Sequence, residues 1–374
     1  MTAHRRDITL ANWRLSPFSK YSFQHVGEFV PSAVISAMVQ DESPQLGLGP
    51  FAKLRLNDTA LPDHLATTHA DSLCIMRHGQ IIAEWNAPYC DPIRPHLIFS
   101  ISKSITGLLT GILIGQGKLT ADDPVIKHVP EVAGSAFADA SLRNLLDMQT
   151  SLDFAEDYLD PNGAYDRYRR SMLWNPDRAD DPVPDMLSFF ATLKKGPNPH
   201  GSHHSYQTPA AEMAGIVLER AAGIRLPDLI TDLLWKPMHA HADAFITVDR
   251  IGTCRAGGGM SVTTRDLARI GELVRQNGAG IVPESWINDL WHGGNRAIWG
   301  AGDQSDFFPR GSYRSYWYET GEGELCAIGI HGQWLWIDPA RETVIALMSS
   351  VPLPLDDAND FAILHMLREI FRHA

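Results

Sequence analysis

In the stretch "FSISKSITG", Phe99 to Gly107, a serine stands three residues before a lysine at the head of an apolar run. Positions i and i+3 share a helix face, and helical side chains lean toward the N-terminus, so Lys103 can reach back to Ser100. That pairing suits acyl transfer, with Ser100 as nucleophile and Lys103 as its base. Free backbone N–H groups at a helix start suit an oxyanion. The same positive helix end disfavours an ammonium, which helps a lysine act as base. On its own S-x-x-K is a weak signal, expected about once by chance in a chain of this length. A capped helix with a solvated lysine is the plain alternative.

Further candidates stand elsewhere. Tyr206, in "HSYQT", precedes the helix start Thr208-Pro209; beside a lysine its phenol pKa can fall and let it shuttle protons. A half-buried structural tyrosine is an equally good local reading. "AIGIHGQ" reads as a strand whose glycines permit close approach to a bound acyl group. In "FAEDYLDPNG", Tyr158 is placed to cover a cleft, and Trp317 and Tyr318 are candidate walls of the acyl site. The cluster "HGSHHSY" offers His200, His203 and His204, but the spacing is loop-like and no H-E-x-x-H is present, so no metal and no other cofactor is expected. The chain has no G-x-S-x-G, and no GK[ST] follows "RAGGGM", which reads as a tight turn.

The elements that must position these residues follow from patterning. Ile101, Ile105, Leu108, Leu109, Ile112 and Leu113 mark one face of a helix over Ile101–Leu119, while Ser104, Gly107 and Gly111 leave room for a site on another. "TPAAEMAGIVLERAAG" predicts a helix with Thr208 as N-cap, Pro209 at N1 and Gly223 as C-cap. "SLCIMRHGQIIAEWN" predicts a hairpin around His78-Gly79, and "CAIGIHGQWLWIDPARETVIALMSS" two strands joined by "DPARE". Helices are expected across "SLRNLLDM", after the "RAGGGM" turn and at the C-terminus. A polar loop is expected from Asp153 to Pro184, and the first sixty residues read as irregular.

The 374-residue chain carries a formal charge of −12 and no basic footprint for nucleic acid. Its apolar runs fall short of a membrane span. "MTAHRRDITLANW" lacks the apolar h-region of a secretory signal. Cys74, Cys90, Cys254 and Cys326 lie far apart, as reduced thiols of a cytoplasmic protein would.

Taken in order, these motifs resemble the serine β-lactamase and penicillin-binding-protein family, whose signatures include S-x-x-K. The likeness is greatest to its class C β-lactamase-like branch, the 6-aminohexanoate-dimer hydrolases and related carboxylesterases. It runs from about Ser72 to Ser350 through "SISKS", "VPEVAGS", "EDYLDP", "GIVLERAAG", "TTRDLARIG" and "GIHGQWLWIDP". The resemblance implies an α+β fold of the β-lactamase/transpeptidase type, an antiparallel sheet flanked by helices with an inserted helical domain. One domain would comprise 1–105 and 236–374, the other 106–235, with the active site between them. It implies catalysis by Ser100, Lys103 and Tyr206, with the N–H groups of Ser100 and Ile330 as oxyanion hole. Tyr158, Thr208, Arg169, His331, Gly332 and Trp317 are the expected substrate-binding residues.

Three departures bear on substrate. Thr208 replaces the usual Asn of Y-x-N, and Ala327 replaces the lysine of K-T-G-x-x-G, whose glycines match Gly329 and Gly332. Arg169 stands where a dimer hydrolase places an acid toward its substrate's ammonium, so repulsion of that group is expected unless Asp166 compensates. The function expected is hydrolysis of a small-molecule carboxylic ester or linear amide through an acyl-enzyme. The alternatives are β-lactamase or D-amino-acid peptidase activity, or a non-catalytic binding protein on the same fold. No nucleic-acid or membrane partner is expected, and a homodimer is left open.

Overall fold

The computed structural model describes residues 5–38 and 43–374. Residues 1–4, part of the stretch read as lacking an h-region, lie outside the described residues. The strands used below are β1 (Ser32–Ile35), β2 (Ala70–Arg77), β3 (Gln80–Asn86), β4 (His96–Leu97), β5 (Ala244–Thr247), β6 (Met260–Val262), β7 (Ser312–Arg314), β8 (Trp317–Glu319), β9 (Leu325–Gly329), β10 (Gln333–Asp338) and β11 (Thr343–Ser349). Seven form one antiparallel sheet in the order β3-β2-β11-β10-β9-β8-β7, and four form another in the order β1-β5-β6-β4. The chain is thus α+β. Among the described residues the segment 106–235 contributes no strand to either sheet.

Local chemistry accounts for the joints. The β2–β3 hairpin turns through His78 and Gly79 at φ of 49° and 75°, the left-handed pair that a two-residue turn demands. Sequence patterning missed β1, which leaves the irregular N-terminal segment to pair Ser32 with Thr247. It also merged β9 and β10 into one strand. A tight turn at Ile330–Gly332 separates them, so this stretch holds three strands rather than two. Helix α1 (Ile101–Gly115) stops short of the expected Leu119, and α2 (Ala164–Ser171) interrupts the loop expected over 153–184.

Helix α1 is buried on all sides but its last turn. Its small residues serve packing rather than a site. A Cβ on Gly107 would fall 2.3 Å from the Ser315 carbonyl oxygen, and one on Gly111 would fall 2.4 Å from the Trp286 ring. Ser104 Oγ donates to the Tyr316 carbonyl. Helix α3 (Thr208–Ala222) ends at Gly223 with φ 68°, the left-handed C-cap expected there. Helix α4 (Thr264–Arg275), capped by Thr263, lies across β2, β10 and β11. Helix α5 (Asp357–His373) closes the chain, capped by Asp356.

Candidate active site

The segment leading into Ser100 is held from both sheets. Ile98 N–H donates to the Met260 carbonyl, extending the β4–β6 pairing to the residue before Phe99. From the other sheet β9 comes so close that a Cβ on Gly329 would lie 2.6 Å from the Ile98 oxygen and 3.1 Å from Ser100 N. Glycine is required there by contact. Phe99 sits at φ 45°, so the chain turns sharply before entering α1 and leaves Ser100 half-buried amid buried neighbours. The N–H groups of Ser100 and Ile330 have no partner among the described residues. They flank the line where β9 meets Ser100, two free donors able to take a substrate oxygen.

Lys103 is 1% exposed, and its Nζ donates to Ser100 Oγ at 2.9 Å and to the Gly257 carbonyl at 2.6 Å. Burial pulls its pKa down to about 8; Glu156 and Glu212 oppose the shift and Arg255 adds to it. The cause is desolvation first, rather than the helix end invoked from sequence. The Tyr206 ring lies 4.9 Å from Lys103 Nζ, and its N–H donates to Asp303. Its phenol moves opposite to the expectation. Burial, then Glu156, push its pKa up, and the hydrogen bond with Ser100 only partly offsets them. It is a neutral hydroxyl.

Ser100, Tyr206, Tyr158, Tyr318, Gly329 and Ile330 line one cleft of about 560 Å³. The residues that line it include Glu156, Asp303, Asp306, Asp357 and Asp360 and no lysine, arginine or histidine. Tyr158 donates its hydroxyl to Glu156, which also accepts from the N–H and Oγ of Thr208. The cap of α3 is therefore Glu156, and the helix begins one residue earlier than expected, after Gln207.

Several expected substrate contacts are turned elsewhere. His331 is buried, donates from Nδ1 to the Val351 carbonyl and packs on Phe99 and Phe23. Gly332 faces Val351, Ser349 and Ile363. Trp317 is fully buried with its Nε1 on the Ser104 carbonyl, although its neighbour Tyr318 does reach the cleft. Thr208 spends its hydroxyl on Glu156. Arg169 lies behind Tyr158, donating to its carbonyl and stacking on Tyr165 at 4.5 Å. Asp166 is buried among Arg170, Arg178 and Asn175, so neither of the two charges weighed from sequence faces substrate.

The histidines do not converge. His200 caps Ser151 N–H and contacts Asp139, while His204 packs on Trp299 and Tyr313 beside Asp303. Among the described residues no three His, Cys, Asp or Glu side chains form a metal cage. Sequence reasoning missed Glu156, Glu212 and Gly257. Gly257 sits in "RAGGGM", whose glycine excess was the available signal.

The chain matches the Beta-lactamase family over residues 63–367. It is 35% identical over 355 residues to a 6-aminohexanoate-dimer hydrolase of Paenarthrobacter ureafaciens, covering 92% of this chain and 89% of that protein. A solved structure named "putative 6-aminohexanoate-dimer hydrolase from Bacillus anthracis" superposes with TM-score 0.88 at 22% identity, covering 100% of this chain and 98% of that one. A solved structure of EstCE1, a hydrolase with promiscuous acyltransferase activity, gives TM-score 0.63 at 16% identity, over 83% and 98% of the two chains.

Proposed function

The chain belongs to the Beta-lactamase family and is a serine hydrolase of amide or ester bonds; on that premise we propose that Ser100, Lys103 and Tyr206 run its chemistry through an acyl-enzyme. Neutral Lys103 takes the Ser100 proton as Oγ attacks the substrate carbonyl. The oxyanion forms between the N–H groups of Ser100 and Ile330. As the C–O or C–N bond breaks, Tyr206 relays the proton from Lys103 to the departing alcohol or amine. Water then attacks the acyl carbonyl and gives its proton to the same pair, which passes it to Ser100 Oγ as the acyl C–O bond breaks, releasing the acid and restoring neutral Lys103 and the Ser100 hydroxyl. The observation that carries this reading is the 2.9 Å contact of the buried Lys103 Nζ with the hydroxyl of Ser100, which lines the cleft.

The substrate class follows from the lining. Five carboxylates with no lining cation favour neutral or ammonium-bearing esters and linear amides, in keeping with the name of the Paenarthrobacter relative. The same lining offers nothing to the carboxylate of a penicillin, a cephalosporin or a D-amino-acid peptide, and Ala327 is buried in β9. Residues 1–105 with 236–374, and 106–235, are read as two domains. In support, Glu156 and Tyr206 reach the cleft from the second and Ser100 and Ile330 from the first. Four unpaired cysteines support a cytoplasmic location. The test is labelling of the purified protein by a fluorophosphonate probe, followed by kcat/KM on a p-nitrophenyl ester, a chromogenic cephalosporin and the linear aminohexanoate dimer. Labelling lost in Ser100→Ala, with ester and dimer turned over faster than the cephalosporin, is the expected result. Absence of labelling with correct folding would leave the non-catalytic reading.

A further inference from the structure

Behind Lys103, on the side away from the cleft, lies a buried carboxylate that the mechanism above does not use. Glu212, on α3, is fully buried. Its Oε2 accepts from Gly257 N–H at 2.8 Å, and its Oε1 accepts from the Tyr168 hydroxyl at 2.6 Å and stands 3.4 Å from Arg255 Nε. Both oxygens accept, the pattern of a carboxylate rather than of an acid. Gly257, gripped by its N–H, presents its carbonyl to Lys103 Nζ. Contact leaves no room for a side chain at this position, since a Cβ there would lie 2.9 Å from Glu212 Oε1 and 3.0 Å from Thr208 Cγ2. Arg255, itself buried, is stacked 3.4 Å above the Trp174 ring. A buried ion pair gains little stability over an apolar pair of the same shape, so this one is weak evidence of a purely structural role.

We propose that Glu212 is a positioning residue for the catalytic lysine: through Gly257 it fixes the carbonyl that holds Lys103 Nζ on Ser100 Oγ, and with Arg255 it sets the charge the lysine feels. This rests on the reading of Lys103 as base. The charged and titratable groups facing Lys103 are Glu156 from the loop before α2, Tyr206 before α3, Glu212 on α3, and Arg255 before β6; Tyr168 on α2 touches Glu212 and Arg255 behind them. Glu156 and Glu212 favour the ammonium and Arg255 opposes it. Burial raises the Glu212 carboxyl itself, with Arg255, Tyr168 and Gly257 N–H holding it back.

The experiment is the pH profile of kcat/KM for a neutral ester in wild type, Glu212→Gln, Glu212→Ala, Arg255→Met and Lys103→Met. Gln can still accept from Gly257 N–H but carries no charge. Glu212→Gln should move the acidic limb down by about half a unit or more, and Arg255→Met should move it up. Glu212→Ala should lower kcat about ten- to a hundredfold with KM within about threefold, because the carbonyl loses its anchor. If Glu212→Ala does not fold, the opposed shifts of the other two variants still decide. A residue that only filled space would leave the limb in place. Unmoved limbs in Glu212→Gln and Arg255→Met, with Lys103→Met inactive, would overturn this proposal alone. An active Lys103→Met would overturn the reading on which it rests.

Discussion

The rings of Phe99 and His331 lie 5.1 Å apart, and each residue holds a positive φ, 45° and 62°, next to one of the two free N–H groups of the site. Ser100 follows Phe99 and Ile330 precedes His331. Two strained backbone turns are thus locked against each other by side-chain packing, with Phe23 closing the cluster at 4.9 Å from Phe99. The histidine expected to touch substrate is instead packed into this cluster, beside the N–H groups proposed as oxyanion donors.

His331→Ala should therefore act on kcat and spare KM. Loss or misplacement of one oxyanion donor typically costs two to three decades, and a loosened one should cost about one to two. Burial pulls the His331 pKa down to about 3, so the ring stays neutral and adds no inflection between pH 5 and 8. Steady-state kinetics across that range, with a thermal melt to confirm folding, checks both statements. A large KM change with kcat intact would return His331 to the substrate.

Ser100→Ala should abolish ester hydrolysis and probe labelling, a loss of several decades, while the fold persists. Its side chain is half-buried and is held only by Lys103 and Tyr206, so its loss should leave the packing intact. Circular dichroism matching wild type, alongside absent labelling, is the expected pair of readouts. Normal turnover by a folded variant would falsify the nucleophile assignment.

The activity of wild type should climb with pH through a limb near 8, since only neutral Lys103 accepts the Ser100 proton. The sign follows from the lowered pKa: below 8 the lysine is charged and inactive, and two units lower kcat/KM should stand about a hundredfold under its plateau. Tyr206, with its phenol pushed up, cannot supply this limb as a base. A limb absent between 7 and 9 would move the base elsewhere.

Lys103 and Tyr206 should act as one unit. Their ring-to-ammonium contact and shared approach to Ser100 make the proton path continuous, so Tyr206→Phe with Lys103→Ala should cost little more than the worse single variant. Strictly multiplied losses in the double variant would show independent roles.

What was legible in the sequence was what local spacing dictates. Ser100 with Lys103 is an i, i+3 relation inside one helix, and Tyr206 stands at a helix start that Pro209 and Gly223 punctuate. The residues behind them were hidden because their relations span the chain: Gly257 meets Lys103 across 154 positions. Small residues misled, since Gly107 and Gly111 look the same in sequence whether they admit a substrate or a neighbouring carbonyl. Reading "AIGIHGQ" as a single strand misled as well. Ile328, Gly329 and Ile330 line the cleft, but a turn at Ile330–Gly332 carries His331 and Gly332 to the other side. The expected repulsion of an ammonium by Arg169 failed for a similar reason, since nothing local says that the side chain folds back on Tyr165.

That last correction reverses the expected substrate preference and gives it a pH signature. With Arg169 behind Tyr158 and five carboxylates on the lining, a cationic ester should outpace its neutral isostere, and an anionic one should trail. A favourable charge at partly solvated range contributes about 1 kcal/mol, so about fivefold or more should separate cation from neutral ester in kcat/KM. Added salt should compress the series, because exposed carboxylates are screened. Asp360 supplies the signature: burial pushes its pKa up to about 7 and its neighbours Asp356 and Asp357 oppose its ionisation, the hydrogen bond from the Asp356 backbone N–H working the other way. Above pH 7 it is charged, below it neutral. The ratio of cationic to neutral turnover should therefore rise through pH 7, and because both substrates share Lys103 the limb near 8 cancels in that ratio. The measurement is kcat/KM for three p-nitrophenyl esters of equal length, ending in trimethylammonium, tert-butyl and carboxylate, from pH 6 to 9. In Asp360→Asn the rise should vanish while the residual cation preference stays. An anionic ester leading the series, or a ratio flat in wild type, would show that this acidic wall does not read substrate charge.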